Sequence, residues 1–390
     1  MAWAPRPWFH HRHVAPGNLR SAINHQPPSR IAPKFDLERF WRENDLSRNK
    51  PFRTDKPRAP IEVSIDDHWL LHEMQLPSTV RYFADPEYRA TQNRACNDRC
   101  EEALGRRFFS ENVDLPSILR IEEVMGSRRK LVEGGTPWLE PGIATIEEVR
   151  AKLDEIERWS DRDLRDRMFS TGGKTAPRGG RPRVTPGSRG SATQATSILG
   201  TMNTLYWVND YPADMERFFT AWADVVTRYH RILEAETGVV YRGYSWLDDN
   251  CALFSPELYE RFCLPAVRQI MDEFAPDPAD HRFHHSDSAM GHLLPLMSAL
   301  GYHGVNLGPT VSCSLIRRRL PRAVIHGCVA PNTLRDRGLD GVVEEVKRDF
   351  AAVGANGGLV VTTCGSVSAG TTLESIRGFM WAVQEHCRYH

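Results

Sequence analysis

Residues 282–307, RFHHSDSAMGHLLPLMSALGYHGVNL, contain the pattern that decides the predicted fold. The strand candidate Arg282–Ser286 opens the stretch, a segment with helical spacing follows, and the strand candidate Gly304–Leu307 closes it. Short connections between such elements make the two strands parallel neighbours in one sheet. The other strand candidates, each followed by a helix candidate, are Thr196–Leu199, Val239–Trp246, Ala323–Gly327 and Leu359–Thr363.

Two further strands would close an eight-stranded barrel, and the best candidates for them are Ile61–Ile65 and the weaker Arg107–Phe109. The sequence therefore predicts an α/β fold of the (β/α)8 TIM-barrel type, with an N-terminal extension and an inserted loop rich in Gly, Pro and Arg. A doubly wound open sheet is the alternative. No GxGxxG motif follows the first strand, so the dinucleotide-binding version of that fold has no support.

The domain organisation follows from the composition along the chain. Residues 1–50 are expected to form a flexible N-terminal arm, because residues 1–34 combine many prolines with basic residues and no acidic residue. Residues 51–390 are expected to form the barrel, with an insertion at about 115–194. The insertion contains a basic loop that either captures a carboxylate or phosphate of the substrate or is a solvated insertion. The basic residues of this loop are Lys174, Arg178, Arg181, Arg183 and Arg189.

Composition excludes several classes of protein. The 50 basic and 50 acidic residues balance, so a nucleic-acid partner would need a local basic patch, and we expect none. The apolar runs are far shorter than the roughly 20 residues that a membrane span requires. The eight cysteines are widely spaced and the N-terminus has no apolar signal region, so we expect a cytoplasmic protein with reduced thiols.

Polar residues follow the predicted strands at their carboxyl ends, where the active site of a TIM barrel lies. Asp248 and Asp249 follow one strand, His284 and His285 end the next, and Asn306 lies in the strand after that. Two cysteines follow the last two strands, Cys328 and Cys364. We therefore expect one rim of the barrel to carry several acid-base or metal-binding groups.

The sharpest combination is His285-x-Asp287 together with Cys364, because an imidazole, a carboxylate and a thiolate with one open position would suit a catalytic zinc ion. Two residues apart on a strand, His285 and Asp287 point to the same side. The alternative is a neutral, hydrogen-bonded histidine beside a turn aspartate, with Cys364 as a small core residue. Cys328 could also replace one ligand. The segment that contains Asp67 and His68 follows the first strand and is expected to line the rim.

Four stretches of the second half resemble the uroporphyrinogen decarboxylase superfamily of (β/α)8 barrels, which includes cobamide-dependent methyltransferases. The similarity covers about residues 195–385, and the N-terminal third matches poorly. An early RQAGR segment, typical of the decarboxylases themselves, is absent; the nearest text, VRYFADPEYR, contains Arg81 and Arg89. The matching stretches are LDDNCALFSPELYERFCLPAV (247–267), HHSDSAMGHLLPLMSALGYHGVNLGP (284–309), AVIHGCVAPNTL (323–334) and GGLVVTTCGSVSAGTTLESIRGFM (357–380).

The resemblance implies a zinc-dependent methyl transfer to a small nucleophile such as a thiol. The superfamily's methyltransferases hold zinc with a His-x-Cys pair and a later Cys, to which His285 and Cys364 correspond, while Asp287 replaces the middle cysteine. An alternative register places Ser286 opposite that cysteine. Asp248 or Asp249 would accept the proton, and Asn306 would orient the substrate. Further substrate-binding candidates are Asp67, His68, Trp246, His284, Arg178 and Arg181.

The chain shows no corrinoid-binding histidine motif of the superfamily's carrier domains, so a corrinoid methyl donor would come from a separate partner protein. The resemblance allows a monomer or a homodimer. One alternative function is a metal-free decarboxylase of the uroporphyrinogen type acting on a carboxylated substrate. Another is a catalytically silent binding protein, which the missing family cysteine would explain.

Overall fold

The computed structural model describes residues 33–112, 118–172 and 183–389. Most of the predicted basic loop, including Arg178 and Arg181, therefore lies outside the described residues. So does the first part of the predicted N-terminal arm. In the described ranges no helix has the length and apolar character needed to cross a bilayer.

The strands in the described residues are β1 Arg128–Lys130, β2 Trp138–Glu140, β3 Arg183–Val184, β4 Gly187–Arg189, β5 Val240–Tyr241, β6 Tyr244–Leu247, β7 Arg282–Ser286, β8 Gly304–Leu307, β9 Val324–His326 and β10 Leu359–Val360. Six of them form one parallel sheet, in the order β10-β9-β8-β7-β6-β4. Ile61 extends this sheet beyond β10 through a parallel bridge to Val361. The strands β1 and β2 form an antiparallel pair, and β3 pairs with β5.

Helices fill the connections between the parallel strands. A π-helical turn at Tyr259–Cys263 joins α11 to α12. The helices are α1 Leu37–Arg48, α2 Asp67–Glu73, α3 Thr79–Ala84, α4 Pro86–Leu104, α5 Ile121–Val124, α6 Ile146–Ile156, α7 Asp161–Met168, α8 Ser191–Leu199, α9 Thr201–Asp210, α10 Pro212–Thr237, α11 Pro256–Leu258, α12 Leu264–Phe274, α13 Leu294–Met297, α14 Cys313–Arg319, α15 Pro331–Asp336, α16 Gly338–Ala352 and α17 Leu373–His386.

The strand predictions are confirmed for β7 and β8, whose bounds are the predicted ones, and β9 is a shortened version of its prediction. Two predictions were wrong: Thr196–Leu199 lies inside the helix α8, and Arg107–Phe109 forms no strand. The predicted strand Val239–Trp246 is divided at Gly243, whose positive φ of 85° turns the chain between β5 and β6. The strands β3 and β4, before α8, were missed.

The helix α1 lies within the predicted N-terminal arm, but it is packed against the rest of the protein. Phe40 is fully buried, and the Trp41 indole N–H donates to the carbonyl of Leu104 at 2.7 Å. The buried Arg58 guanidinium donates to the Phe40 carbonyl and to the Gln384 side chain on α17. Residues 37–48 are therefore part of the folded body, and the prediction of a flexible arm up to residue 50 needs this correction.

Side-chain alternation along the central strands divides the sheet into two faces. Trp246, Val305 and Ile325 are buried on the face covered by helices. The residues of opposite parity, Phe283 and His285 among them, border a cavity on the concave face. The sheet thereby places a row of functional side chains inside and the apolar core outside.

Candidate active site

A cavity of about 370 Å³ opens on the concave side of the sheet. Most of its wall comes from the last residues of the parallel strands and from the segments that follow them. Neither Lys nor Arg is among its described lining residues. The lining residues are Glu62, Ser64, Ser245, Trp246, Leu247, Phe283, His285, Asn306, His326, Thr362, Thr363, Gly365 and Ser366.

A second cavity, of about 440 Å³, also borders His285. It is bordered by β2, by α8 and by the segment that follows β6. His285 and Leu247 border both cavities. The exposed Trp138 and the cationic Arg189 belong to the second cavity only.

Three potential metal ligands meet at the boundary between the two cavities. One ligand atom from each of Asp249, His285 and Asp287 lies within 4.8 Å of the other two. His285 Nε2 is 3.4 Å from Asp287 Oδ1 and 3.9 Å from Asp249 Oδ1. Among the described residues, these three form the one group of His, Cys, Asp or Glu side chains that lie close enough together to hold a metal ion.

The two carboxylates are positioned by the backbone. The Asp287 N–H donates to Asp249 Oδ1 at 2.7 Å, so the end of β7 holds the aspartate that follows β6. Asp287 itself lies against Gly365: a Cβ there would come within 2.5 Å of Asp287 Oδ2. Gly365 also has a φ of 78°, which favours glycine. Both features make residue 365 a glycine position that admits the Asp287 carboxylate.

Asn306 fixes the orientation and the tautomer of the His285 ring. Its amide nitrogen donates to the carbonyls of His326 and Thr363, and its Oδ1 accepts from the backbone N–H of Gly365. The amide orientation is therefore determined, so His285 Nδ1, 2.7 Å from Asn306 Oδ1, must carry the proton and donate it. In the neutral ring Nε2 then has a free lone pair that faces the two aspartates.

The electrostatics of this cluster favour a cation. Burial raises the pKa of Asp287; His285 opposes this effect, and the nearby carboxylates Asp249 and Asp66 add to it. The carboxylates of Asp249 and Asp287 and the Nε2 lone pair of His285 are all hydrogen-bond acceptors, and they face one another. A positive charge between them would stabilise this arrangement.

Asp248 was a catalytic candidate together with Asp249, but the structure gives the two neighbours different surroundings. Asp248 is 1% exposed, and its Oδ1 accepts from the Thr193 N–H in the first turn of α8. The N-cap residue of α8 is Gly190, which has no side chain to accept this bond. Asp248 supplies the missing cap from β6, and burial raises its pKa to about 6. Asp249, in contrast, borders the second cavity.

The predicted ligand set needs a correction at its third member. Cys364 is 2% exposed and is not part of the ligand cluster among the described residues. Its Sγ is directed towards Gly327, where a Cβ would lie 3.6 Å away, and towards Cys328. Gly365 rather than Cys364 contacts Asp287, because the chain turns at this position. Cys328, the predicted substitute ligand, pairs with Cys313 at an Sγ–Sγ distance of 3.0 Å.

The predicted substrate-binding residues are scattered. Trp246 borders the first cavity, but its ring is buried against Tyr244 and Trp222. His284 is buried on the helix-covered face beside Tyr302, and burial lowers its pKa to about 3, so it is neutral. These two side chains serve the core because they have the parity opposite to that of His285.

Asp67 and His68 begin α2, whose N-cap residue Asp66 is close enough to Asp287 to influence its pKa. The segment therefore lies at the expected rim. Asp67 accepts from the Tyr82 hydroxyl and pairs with Arg89 at 2.7 Å, so its carboxylate is already engaged. His68 is exposed and lines neither cavity.

One pair of cavity residues was missed in the sequence. Glu62 Oε2 and His326 Nδ1 are 3.3 Å apart, and both residues line the first cavity together with His285. The hydrogen bond from His326 lowers the pKa of Glu62. No motif marks either residue: the only signal in the sequence is that Glu62 lies in the strand candidate Ile61–Ile65 and His326 in the strand candidate Ala323–Gly327.

Residues 102–386 match the sequence profile described as uroporphyrinogen decarboxylase (URO-D). The chain belongs to the uroporphyrinogen decarboxylase family. Members of this family are enzymes, and their fold is a TIM barrel, so the predicted (β/α)8 class and the predicted superfamily are confirmed. No curated protein matches the sequence.

Two solved structures are similar to this chain, and one of them supports the fold. A methyltransferase from Methanosarcina mazei superimposes with a TM-score of 0.57 at 16% identity, covering 90% of this chain and 99% of that one. A B12-independent methionine synthase from Shewanella sp. W3-18-1, in complex with selenomethionine, gives a TM-score of 0.34 at 11% identity, covering 66% and 72%. The first similarity supports the fold, and the second is too low to support a conclusion.

Proposed function

We propose that this member of the uroporphyrinogen decarboxylase family is a metal-dependent methyltransferase whose metal, zinc in our proposal, is held by Asp249, His285 and Asp287. The acceptor is a small nucleophile such as a thiol, and the donor is a methylated corrinoid on a separate carrier protein. The observation that carries the metal site is the His285 Nε2 lone pair facing two carboxylates.

The donor set fits a divalent cation. Zinc accepts imidazole nitrogen and carboxylate oxygen, and a catalytic zinc keeps a position open for water or substrate. Asn306 gives His285 the outer hydrogen-bond partner that metal-binding histidines commonly have. With two carboxylates in place of thiolates the site is harder than a cysteine-rich one, so manganese and iron are the competing metals.

The chain's own residues supply the remaining functions. A zinc ion in such a site lowers the pKa of a bound nucleophile. Asn306 holds His285 in the required tautomer. Glu62 is ionised at neutral pH and lines the first cavity together with His285, where it can accept a proton from the substrate. It takes the role that the sequence assigned to Asp248 or Asp249, because Asp248 is turned towards α8 and Asp249 is a metal ligand in this proposal.

Metal analysis of protein purified without chelator tests the proposal. We expect about one zinc per chain, with loss of metal in Asp249→Asn, His285→Ala and Asp287→Asn. Cys364→Ser should retain the metal because Cys364 lies outside the cluster. The matched control Asp98→Asn removes an exposed carboxylate on α4, a helix that lines neither cavity.

Two outcomes would contradict this assignment. Loss of metal in Cys364→Ser with retention in Asp249→Asn would restore the ligand set predicted from the sequence. Folded, metal-free wild-type protein that gains no stability from added zinc or manganese would reject the metal site. A metal-free decarboxylase would then be the leading candidate. Arg189, which lines the second cavity and is 3.4 Å from Glu122, would be the cation that a substrate carboxylate meets there.

A further inference from the structure

A third cavity, of about 420 Å³, lies at the opposite end of the sheet. Its wall includes Arg282 at the start of β7, His303 immediately before β8 and Ala323 immediately before β9. These are the amino ends of strands whose carboxyl ends form the candidate active site. The cavity shares no lining residue with the two cavities beside His285.

The charge of this cavity is entirely of one sign. Three guanidinium groups and one imidazole line it, and its described lining contains neither Asp nor Glu. The carboxylate of Asp280 is near enough to raise the pKa of His303, but it is paired with Arg242 at 2.6 Å. The four basic residues are Arg282, His303, Arg319 and Arg322.

Arg282 is a rigid part of the wall. Two of its nitrogens donate to the carbonyls of Leu300 and Ala275, at 2.8 and 2.6 Å, where two helical segments end. Its third nitrogen, Nε, is buried without a hydrogen-bond partner among the described residues, and so is His303 Nδ1. Neither of these two atoms is open to the cavity, so what Arg282 offers a ligand is its fixed positive charge.

Arg319 and Arg322 are exposed and make no hydrogen bond or ion pair with the described part of the chain. Their neighbour Arg317 differs, because it donates to the carbonyls of Ala323 and Gly358 and is used by the fold. Two free guanidinium groups therefore stand beside the fixed Arg282. Burial and Arg282 lower the pKa of His303, an effect that a bound anion would oppose.

We propose that this basic cavity binds a small, soluble compound that carries a phosphate group. A phosphate offers several acceptor oxygens and up to two charges, which suit guanidinium groups that approach from different sides. The cavity is larger than a phosphate, so an organic part of the ligand fits beside it. The proposal does not depend on the function proposed for the other end of the barrel.

Isothermal titration of the full-length protein with sodium pyrophosphate, at constant ionic strength set with sodium chloride, tests this site. We expect saturable binding that Arg319→Gln and Arg322→Gln each weaken roughly tenfold, the loss of one charge-assisted interaction. Arg318→Gln is the matched control, since Arg318 is an exposed neighbour that does not line the cavity. It should change the affinity less than twofold.

Several results would overturn the proposal. An equal loss in Arg318→Gln would show non-specific attraction by the basic segment. Binding of citrate as tight as that of pyrophosphate would remove the preference for phosphate. Absence of pyrophosphate binding, or retention on phosphatidylglycerol vesicles without any pyrophosphate response, would exclude a soluble phosphate ligand. All three variants change exposed side chains, so circular dichroism should show an unchanged fold.

Discussion

Replacing Asn306 by Asp tests the hydrogen-bond network beneath the candidate metal site. The new carboxylate can still accept from His285 Nδ1 and from the Gly365 N–H. It loses the amide N–H groups that now donate to His326 O at 2.6 Å and Thr363 O at 3.1 Å. One buried and one partly buried hydrogen bond are lost and a negative charge faces two carbonyl oxygens, so we expect a destabilisation of about 3 kcal/mol at pH 7.

The effect of pH gives the prediction its sign. The pKa of the new carboxyl should be higher in the folded state than in the unfolded state. At a pH between these two pKa values, the folded state therefore binds more protons than the unfolded state. The destabilisation should therefore shrink as the pH falls from 7 towards 5. Urea unfolding at both pH values measures this, with the exposed Asn209→Asp on α9 as the control. A loss below about 1 kcal/mol, or one independent of pH, would refute the role assigned to Asn306.

Two further substitutions test the packing around the site. Gly190→Ala should destabilise the protein by about 2 kcal/mol in urea unfolding, because its Cβ would lie 2.3 Å from Asp248 Cγ and displace the cap of α8; an unchanged midpoint would contradict that contact. Burial lowers the pKa of His230 to about 4, below its unfolded value, so the stability it confers is complete above pH 6.5 and is lost as the pH falls towards 4. His230→Gln should remove about 3 kcal/mol of that decline, and equal acid sensitivity of both proteins would reject the assignment.

The fold was predictable where local signals agree with the tertiary structure. The bounds of β7 and β8 were predictable because turn residues flank both runs: Pro276 and Pro278 precede β7, and Gly308 and Pro309 follow β8. Thr196–Leu199 misled the prediction because its β-branched residues favour a strand, whereas the helix they belong to is capped by Asp248 from another strand. A cap that comes from 55 residues along the chain leaves no local trace in the sequence.

The sequence was enough to predict which strand ends form the candidate site. It was less able to predict which side chains face that site. The spacing of His285 and Asp287 was enough to place both on one side of the chain. It could not show which of two adjacent aspartates, Asp248 or Asp249, faces the cavity, because the chain leaves the strand there. The turn at Gly365, where φ is 78°, likewise could not be placed from spacing, and the carboxylate that a side chain there would meet, that of Asp287, is far away in the sequence.

The position of His285 between two cavities has a consequence for the order of events at this site. Its side chain is part of the wall of both cavities, so a molecule in one cavity and a molecule in the other would contact the same residue. Under the methyl transfer proposed above, the acceptor and the donor can therefore each occupy a cavity of its own. Neither has to leave before the other arrives.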